Sequence, residues 1–158
     1  MSKYTFLKPK KKKTHTREQC LELAQKISKL RMLRDYGRLW CVSCGVPLGT
    51  DAQGGHLIPR QDRAVETEPD NIWVQCPRCN TFLGGNYKAY RGRLIGLIGI
   101  ERVQRIEDMS SARKGSEEAL SRLSEEDREK ALMRKSAYFY ECLWQELNEE
   151  LKRLREQI

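Results

Sequence analysis

Four cysteines stand in two Cys-x-x-Cys pairs, Cys41 with Cys44 and Cys76 with Cys79, and the one histidine of the central region, His56, lies between them. Each pair can put two thiolates on one tight turn, and two such turns supply the four corners of a closed tetrahedral zinc site. Zinc held by four sulfurs needs nothing from His56, so the imidazole is left for chemistry. With an unperturbed pKa of about 6.5, histidine is a natural general base near neutral pH. Asn71 falls at the start of an expected strand and Asn80 directly follows Cys79. Side-chain oxygens of Asn and Asp suit magnesium or manganese. A base for water and an ion at the leaving oxygen are together what phosphodiester hydrolysis requires.

These side chains need a scaffold that gathers positions 56, 71 and 80. Residues 39–76 are rich in turn formers and carry short apolar runs, Leu57-Ile58 and Ile72-Trp73-Val74, which read as a β-hairpin with a polar connection over 61–70. Upstream, Thr16 can cap a helix over 17–36, whose apolar positions Leu21, Leu23, Ala24, Ile27, Leu30 and Leu33 fall mostly at three- and four-residue spacing, with Gly37 as its stop. Cys20, a lone thiol inside that helix, reads as buried filler. After the break at Gly84-Gly85, helices are expected over 87–98 and, shorter, over 101–107. The class is α+β: a small zinc-stapled module with flanking helices and a long C-terminal helix.

The expected organisation is a disordered basic arm over 1–14, a zinc domain with its N-terminal helix over 15–109, a linker over 110–115 and a helical region over 116–158. Ser124-Glu125-Glu126-Asp127 has the capping-box form and is expected to open one helix running nearly to the end. Its stripe of Leu132, Phe139, Leu143, Leu147, Leu151 and Leu154 must bury against something, either the globular module or a second copy of the chain.

Net charge is +8, unevenly spread: residues 1–30 carry nine Lys or Arg against two acids, whereas 106–158 carry ten against thirteen. A basic front and middle point to a polyanion, most simply nucleic acid. No apolar run approaches the 18 or so residues of a membrane span, and the N-terminus lacks the apolar stretch of a secretory signal. In a chain without an export signal, two tight cysteine pairs read as reduced, zinc-bound thiolates rather than disulfides.

Gly-His-x-x-Pro, followed by Asp-Asn-Ile-x-x-x-Cys-x-x-Cys-Asn, resembles the HNH, or ββα-metal, nuclease motif with asparagine in its third position. A narrower resemblance covers about 25–107. Cys-Val-Ser-Cys-Gly, Gly-Gly-His, Leu-Gly-Gly-Asn and Tyr-Arg-x-x-Leu-Ile-x-x-Ile-Gly look like the phage NinG/Rap recombination endonucleases, which act on branched DNA including Holliday junctions. The resemblance implies His56 as general base, Asn71 as the residue holding the loop that orients it, and Asn80 as a ligand of the catalytic magnesium or manganese. It implies a structural zinc on Cys41, Cys44, Cys76 and Cys79. Many HNH nucleases place Asp or His directly before the base as a second metal ligand. Gly55 stands there and Gln53 stands where phage relatives tend to have an acid, so either Asp51 or waters and a DNA phosphate are expected to complete the shell.

Arg60, Arg63, Arg78, Lys88, Arg91 and Arg93 surround the motif and are the expected phosphate contacts. Tyr90 can either stack on an unpaired base or pack on the zinc module, and Asn86 can either cap the next helix or touch phosphate or metal. His15 reads as an inert tail residue. The first reading is a metal-dependent endonuclease for branched DNA, with a homodimer through the C-terminal helix as a way to pair two cuts. The alternatives are a non-catalytic zinc module that binds nucleic acid, and an adaptor that docks a partner through the C-terminal helix.

Overall fold

The computed structural model describes residues 15–158, so the basic arm expected over 1–14 lies outside the described residues. Helix α1 spans Arg17–Tyr36. Its ends are where the local chemistry puts them: Thr16 and Gln19 form a reciprocal capping box, and Gly37 closes the helix in the left-handed conformation at φ 69°. Two small antiparallel sheets follow. Strands β1 (Leu39–Trp40) and β2 (Pro47–Leu48) pair around the first cysteine turn. Strands β3 (Gln53–His56) and β4 (Ile72–Gln75) pair with Gln53 opposite Gln75 and His56 opposite Ile72.

The β3–β4 hairpin lies against α1, and two adjacent glycines make that possible. A Cβ on Gly54 would stand 2.7 Å from the Gln25 side chain and 3.0 Å from its Cα, so only glycine lets this strand reach the helix. On the opposite face a Cβ on Gly55 would fall 1.9 Å from Gln75 Oε1. Strand β3 ends at His56, before the apolar Leu57-Ile58 expected to continue it, and 57–71 forms an irregular excursion closed by a 3-10 turn over Pro69–Asn71.

Helix α2 spans Tyr87–Ile98, as its sequence suggests, and packs Tyr90 and Leu94 with Val42, Trp73, Val74 and Val103. The short helix expected over 101–107 is longer, α3 over Ile100–Arg113. Residues 110–113 are therefore its last turn and not a linker. Ser110 is buried with its hydroxyl on Asp62, and Met109 and Ala112 pack beneath α4 (Glu117–Arg122) and α5 (Glu125–Leu132). The small polar residues that suggested a linker are instead the close-packed face of a helix.

Nor does one helix run from Ser124 to the end. Helix α5 stops at Leu132, and α6 (Ala137–Glu156) starts from a second N-cap, Ser136, whose hydroxyl accepts from the Phe139 amide. The broken turn gives its carbonyls to the Arg113 guanidinium (Ala131 and Met133) and sends Lys135 inward. The stripe of Phe139, Leu143, Leu147, Leu151 and Leu154 is buried within the chain, against Cys20, Leu23, Ala24 and Ile27 of α1. Leu132, expected to belong to it, is exposed. His15 is not inert. It stacks on Trp144 at 3.6 Å and meets Glu141 at 3.0 Å, tying the start of α1 to α6. The whole is α+β and helix-dominated. Among the described residues no helix is long and apolar enough to cross a membrane.

Candidate metal centre and active site

The four cysteine sulfurs lie within 4.8 Å of one another, the spacing of ligands around one tetrahedral ion. Two similar knuckles bring them there. The Gly45 amide donates to the Cys41 carbonyl at 2.7 Å, with Gly45 itself at φ 80°, and the Asn80 amide donates to the Cys76 carbonyl at 2.9 Å. The first knuckle is fastened to β4 by the Val42 amide, which donates to the Val74 carbonyl. Burial pushes the Cys41 thiol up, but backbone amides around it prevail and its pKa falls to about 7, while burial pushes the Cys79 thiol up to about 12. Asn86 stands at the N-cap of α2, in the left-handed conformation at φ 47°, but its side chain makes no capping hydrogen bond. Its amide donates instead to Cys79 Sγ at 3.4 Å, a contact that would steady a thiolate ligand. The donor set and its closeness fit a structural metal such as zinc.

His56 leaves the far end of the same hairpin. Its Nε2 lies 2.9 Å from the Glu66 carbonyl, which can only accept, so Nε2 carries the proton and Nδ1 keeps a free lone pair. Burial lowers the His56 pKa, and Arg60 adds to this, against the opposing Glu66 carbonyl. The neutral ring is the favoured state near neutral pH. Asn71, fully buried, closes the excursion behind it: Nδ2 donates to the carbonyls of Ile58 (3.0 Å) and Val65 (2.9 Å), and Oδ1 accepts from the Ile58 amide (2.8 Å). Tyr90 is also fully buried, donating to the Gly55 carbonyl and accepting from the Trp73 amide. It is a strut for the hairpin, not a platform for a base.

Asn80 sits in a wide turn over Arg78–Phe82 that follows the second knuckle. Its Nδ2 donates to Gln53 Oε1 at 2.8 Å, which leaves Oδ1 for another partner. The side chain that meets Asn80 is thus Gln53, whereas Asp51 is exposed and accepts from the Gly49 amide at 3.2 Å. The place of a side chain at position 55 is filled from across the hairpin by Gln75, which donates to Ser43 Oγ and the Gly85 carbonyl. Gln75 Oε1 is buried without a hydrogen-bond partner. Apart from the cysteines, no cluster of three or more His, Cys, Asp or Glu side chains is close enough for an ion among the described residues. Gln53 stood out in the sequence only as a missing acid, and Gln75 carried no signal at all.

Of the basic residues, Arg60, Arg63, Arg78, Lys88 and Arg93 are exposed. Arg91 is spent on Glu107, to which it donates at 2.6 and 3.0 Å, so its charge is answered within the chain. Phe82, 82% exposed, stands two residues beyond Asn80.

A family model described as NinG: Bacteriophage Lambda NinG protein matches residues 3–137, most of the chain. No curated protein and no solved structure matches.

Proposed function

This chain belongs to the NinG family, and from that premise we propose that it is a metal-dependent endonuclease of the HNH type that cuts branched DNA, such as Holliday junctions and related recombination intermediates. The observation that carries the reading is the His56 ring: Nε2–H is committed to the Glu66 carbonyl, leaving Nδ1 as a base on a hairpin stapled at both ends. In this reading β3, β4 and the turn from Arg78 form the ββα unit. Nδ1 takes a proton from water as the water oxygen bonds to phosphorus, and the phosphorus–oxygen bond to the leaving group breaks on the opposite side. Asn71 keeps the excursion closed so that the ring cannot swing. Magnesium or manganese held by Asn80, with Gln53 beside it, would supply charge stabilisation at the leaving oxygen. Asp51, turned toward Gly49, is the weaker candidate for that role. Arg60, Arg63, Arg78, Lys88 and Arg93 would grip phosphates, and Arg91 contributes less because Glu107 holds it. Contacts of this kind position a backbone without reading sequence, which suits selection by DNA shape.

One observation favours a second reading, a zinc-stapled module that binds nucleic acid without cutting it. The side chain against Asn80 is a neutral amide where a carboxylate would hold a cation more strongly. A labelled four-way junction, a replication fork and plain duplex, each with magnesium, manganese or EDTA, separate the two. Cuts near the branch point that need the metal are expected. Tight junction binding with no cut under either metal would leave the binding module as the function.

A further inference from the structure

We propose that the C-terminal helix α6 helps to orient His56, acting through the buried side chain of Glu66; the inference rests on the reading of His56 as the base. Glu66 has no exposed side-chain surface, and both carboxylate oxygens are engaged. Oε2 accepts from Arg17 Nε at 2.6 Å. Oε1 accepts from the Tyr140 hydroxyl at 2.8 Å and from Lys135 Nζ at 3.3 Å. The donors come from the first residue of α1, the break before α6 and the first turn of α6. The same residue's carbonyl receives His56 Nε2–H.

Two further bonds tie the excursion to the same elements. Arg17 Nη2 donates to the Arg60 carbonyl at 2.6 Å, and Arg63 Nη1 donates to the Tyr140 hydroxyl at 3.2 Å. A buried ion cluster is no cheaper for a fold than an apolar one of the same volume, so stability alone does not account for it. What the cluster fixes is the position of one backbone carbonyl. If that carbonyl moves, Nε2 loses its acceptor, the ring is free to carry its proton on Nδ1, and the base is gone. The break between α5 and α6 has a purpose in this account: it delivers Lys135, only 6% exposed, and Tyr140 to Glu66. Helix α6 is then a positioning element as well as the cover of α1.

The test uses the full-length, zinc-loaded chain with 15N-labelled histidine. The chain has two histidines, so a His15→Gln variant assigns the spectrum. Long-range proton–nitrogen correlation should show His56 as the Nε2–H tautomer alone. Tyr140→Phe and Glu66→Gln should each give a mixture of tautomers and slow single-turnover junction nicking by about 10- to 100-fold, with DNA affinity unchanged. Tyr140→Phe is the milder change and covers misfolding of Glu66→Gln. Leu151→Ala loosens the same helix without touching the cluster, and should leave the tautomer as it is. A single Nε2–H tautomer and a rate within two-fold of wild type in Tyr140→Phe and Glu66→Gln, with His56→Ala inactive, overturn the positioning role alone. A His56→Ala protein that nicks at the wild-type rate overturns the base reading and this inference with it.

Discussion

The two ends of the β3–β4 hairpin are held by different means. At the Gln53–Gln75 end, four cysteine sulfurs converge within 4.8 Å of one another, carried on two turns that are each local in sequence. At the His56–Ile72 end, Asn71 closes the excursion and Glu66 anchors it to residues 49, 69 and 74 positions away in the chain. The first end has the ligands for a structural metal such as zinc, and they come from two short motifs. The second depends on buried polar groups satisfying one another across the fold. Rigidity at the cysteine end sets where Asn80 stands; rigidity at the other sets which nitrogen of His56 carries the proton.

The comparison breaks most completely at the metal end. Cys41→Ser should lose the bound zinc and unfold the module around both knuckles, since structural zinc binding contributes on the order of 10 kcal/mol to folding. Metal content by mass spectrometry and loss of the cooperative thermal transition measure this. A Cys41→Ser protein that keeps both zinc and the wild-type melting curve would mean the cysteines are not what holds that end.

At the polar end, Asn71→Ala removes three hydrogen bonds from a fully buried site and strands the Ile58 amide and two carbonyls. Such losses cost about 3 kcal/mol together. Denaturant unfolding should report that drop while zinc content stays intact, so the two ends fail separately.

Between the ends, Gly55→Ala drives a methyl into the Gln75 side chain and should cost about 1–3 kcal/mol. Gln75→Ala in the same protein should restore part of it, and the coupling in the double-mutant cycle is the measure. Additive losses would show that Gln75 moves aside freely.

The smallest effect is on pH. Burial lowers the His56 pKa, so the neutral ring is kept above its folded value and lost as pH falls through it. The acidic limb of the nicking rate should therefore lie below about 6.5, the unperturbed value. The same shift gives a stability contribution that is present above that value and lost as pH falls through the folded pKa. A limb above 6.5 in the pH–rate profile would contradict the environment described for the ring.

What could be read from the sequence divides along the same line. The cysteine cluster, the caps of α1 and the span of α2 follow from spacing and local chemistry over a few residues, and the structure has them. The expected linker over 110–115 shrinks to the turn at Lys114 and Gly115, and the expected unbroken C-terminal helix divides in two, because tertiary contacts override local preference: Ser110 turns inward to Asp62, and Lys135 leaves the helical path for Glu66. Glu66 reads in the sequence as one more acid in a polar loop. Only the fold brings Arg17, Lys135 and Tyr140 to it. Gly55 looked like a lost ligand. The structure gives it a steric reason, since Gln75 crosses the strand there.

The central claim is that His56 is the base of a metal-dependent cut, and the direct test is single-turnover nicking of a branched DNA by wild-type and His56→Ala proteins in saturating magnesium or manganese. The account predicts a rate lower by about 10²- to 10⁴-fold in the variant, the range for loss of a general base, with zinc content and DNA affinity unchanged. Equal rates in the two proteins, or no cutting by the wild type under either metal, would contradict it.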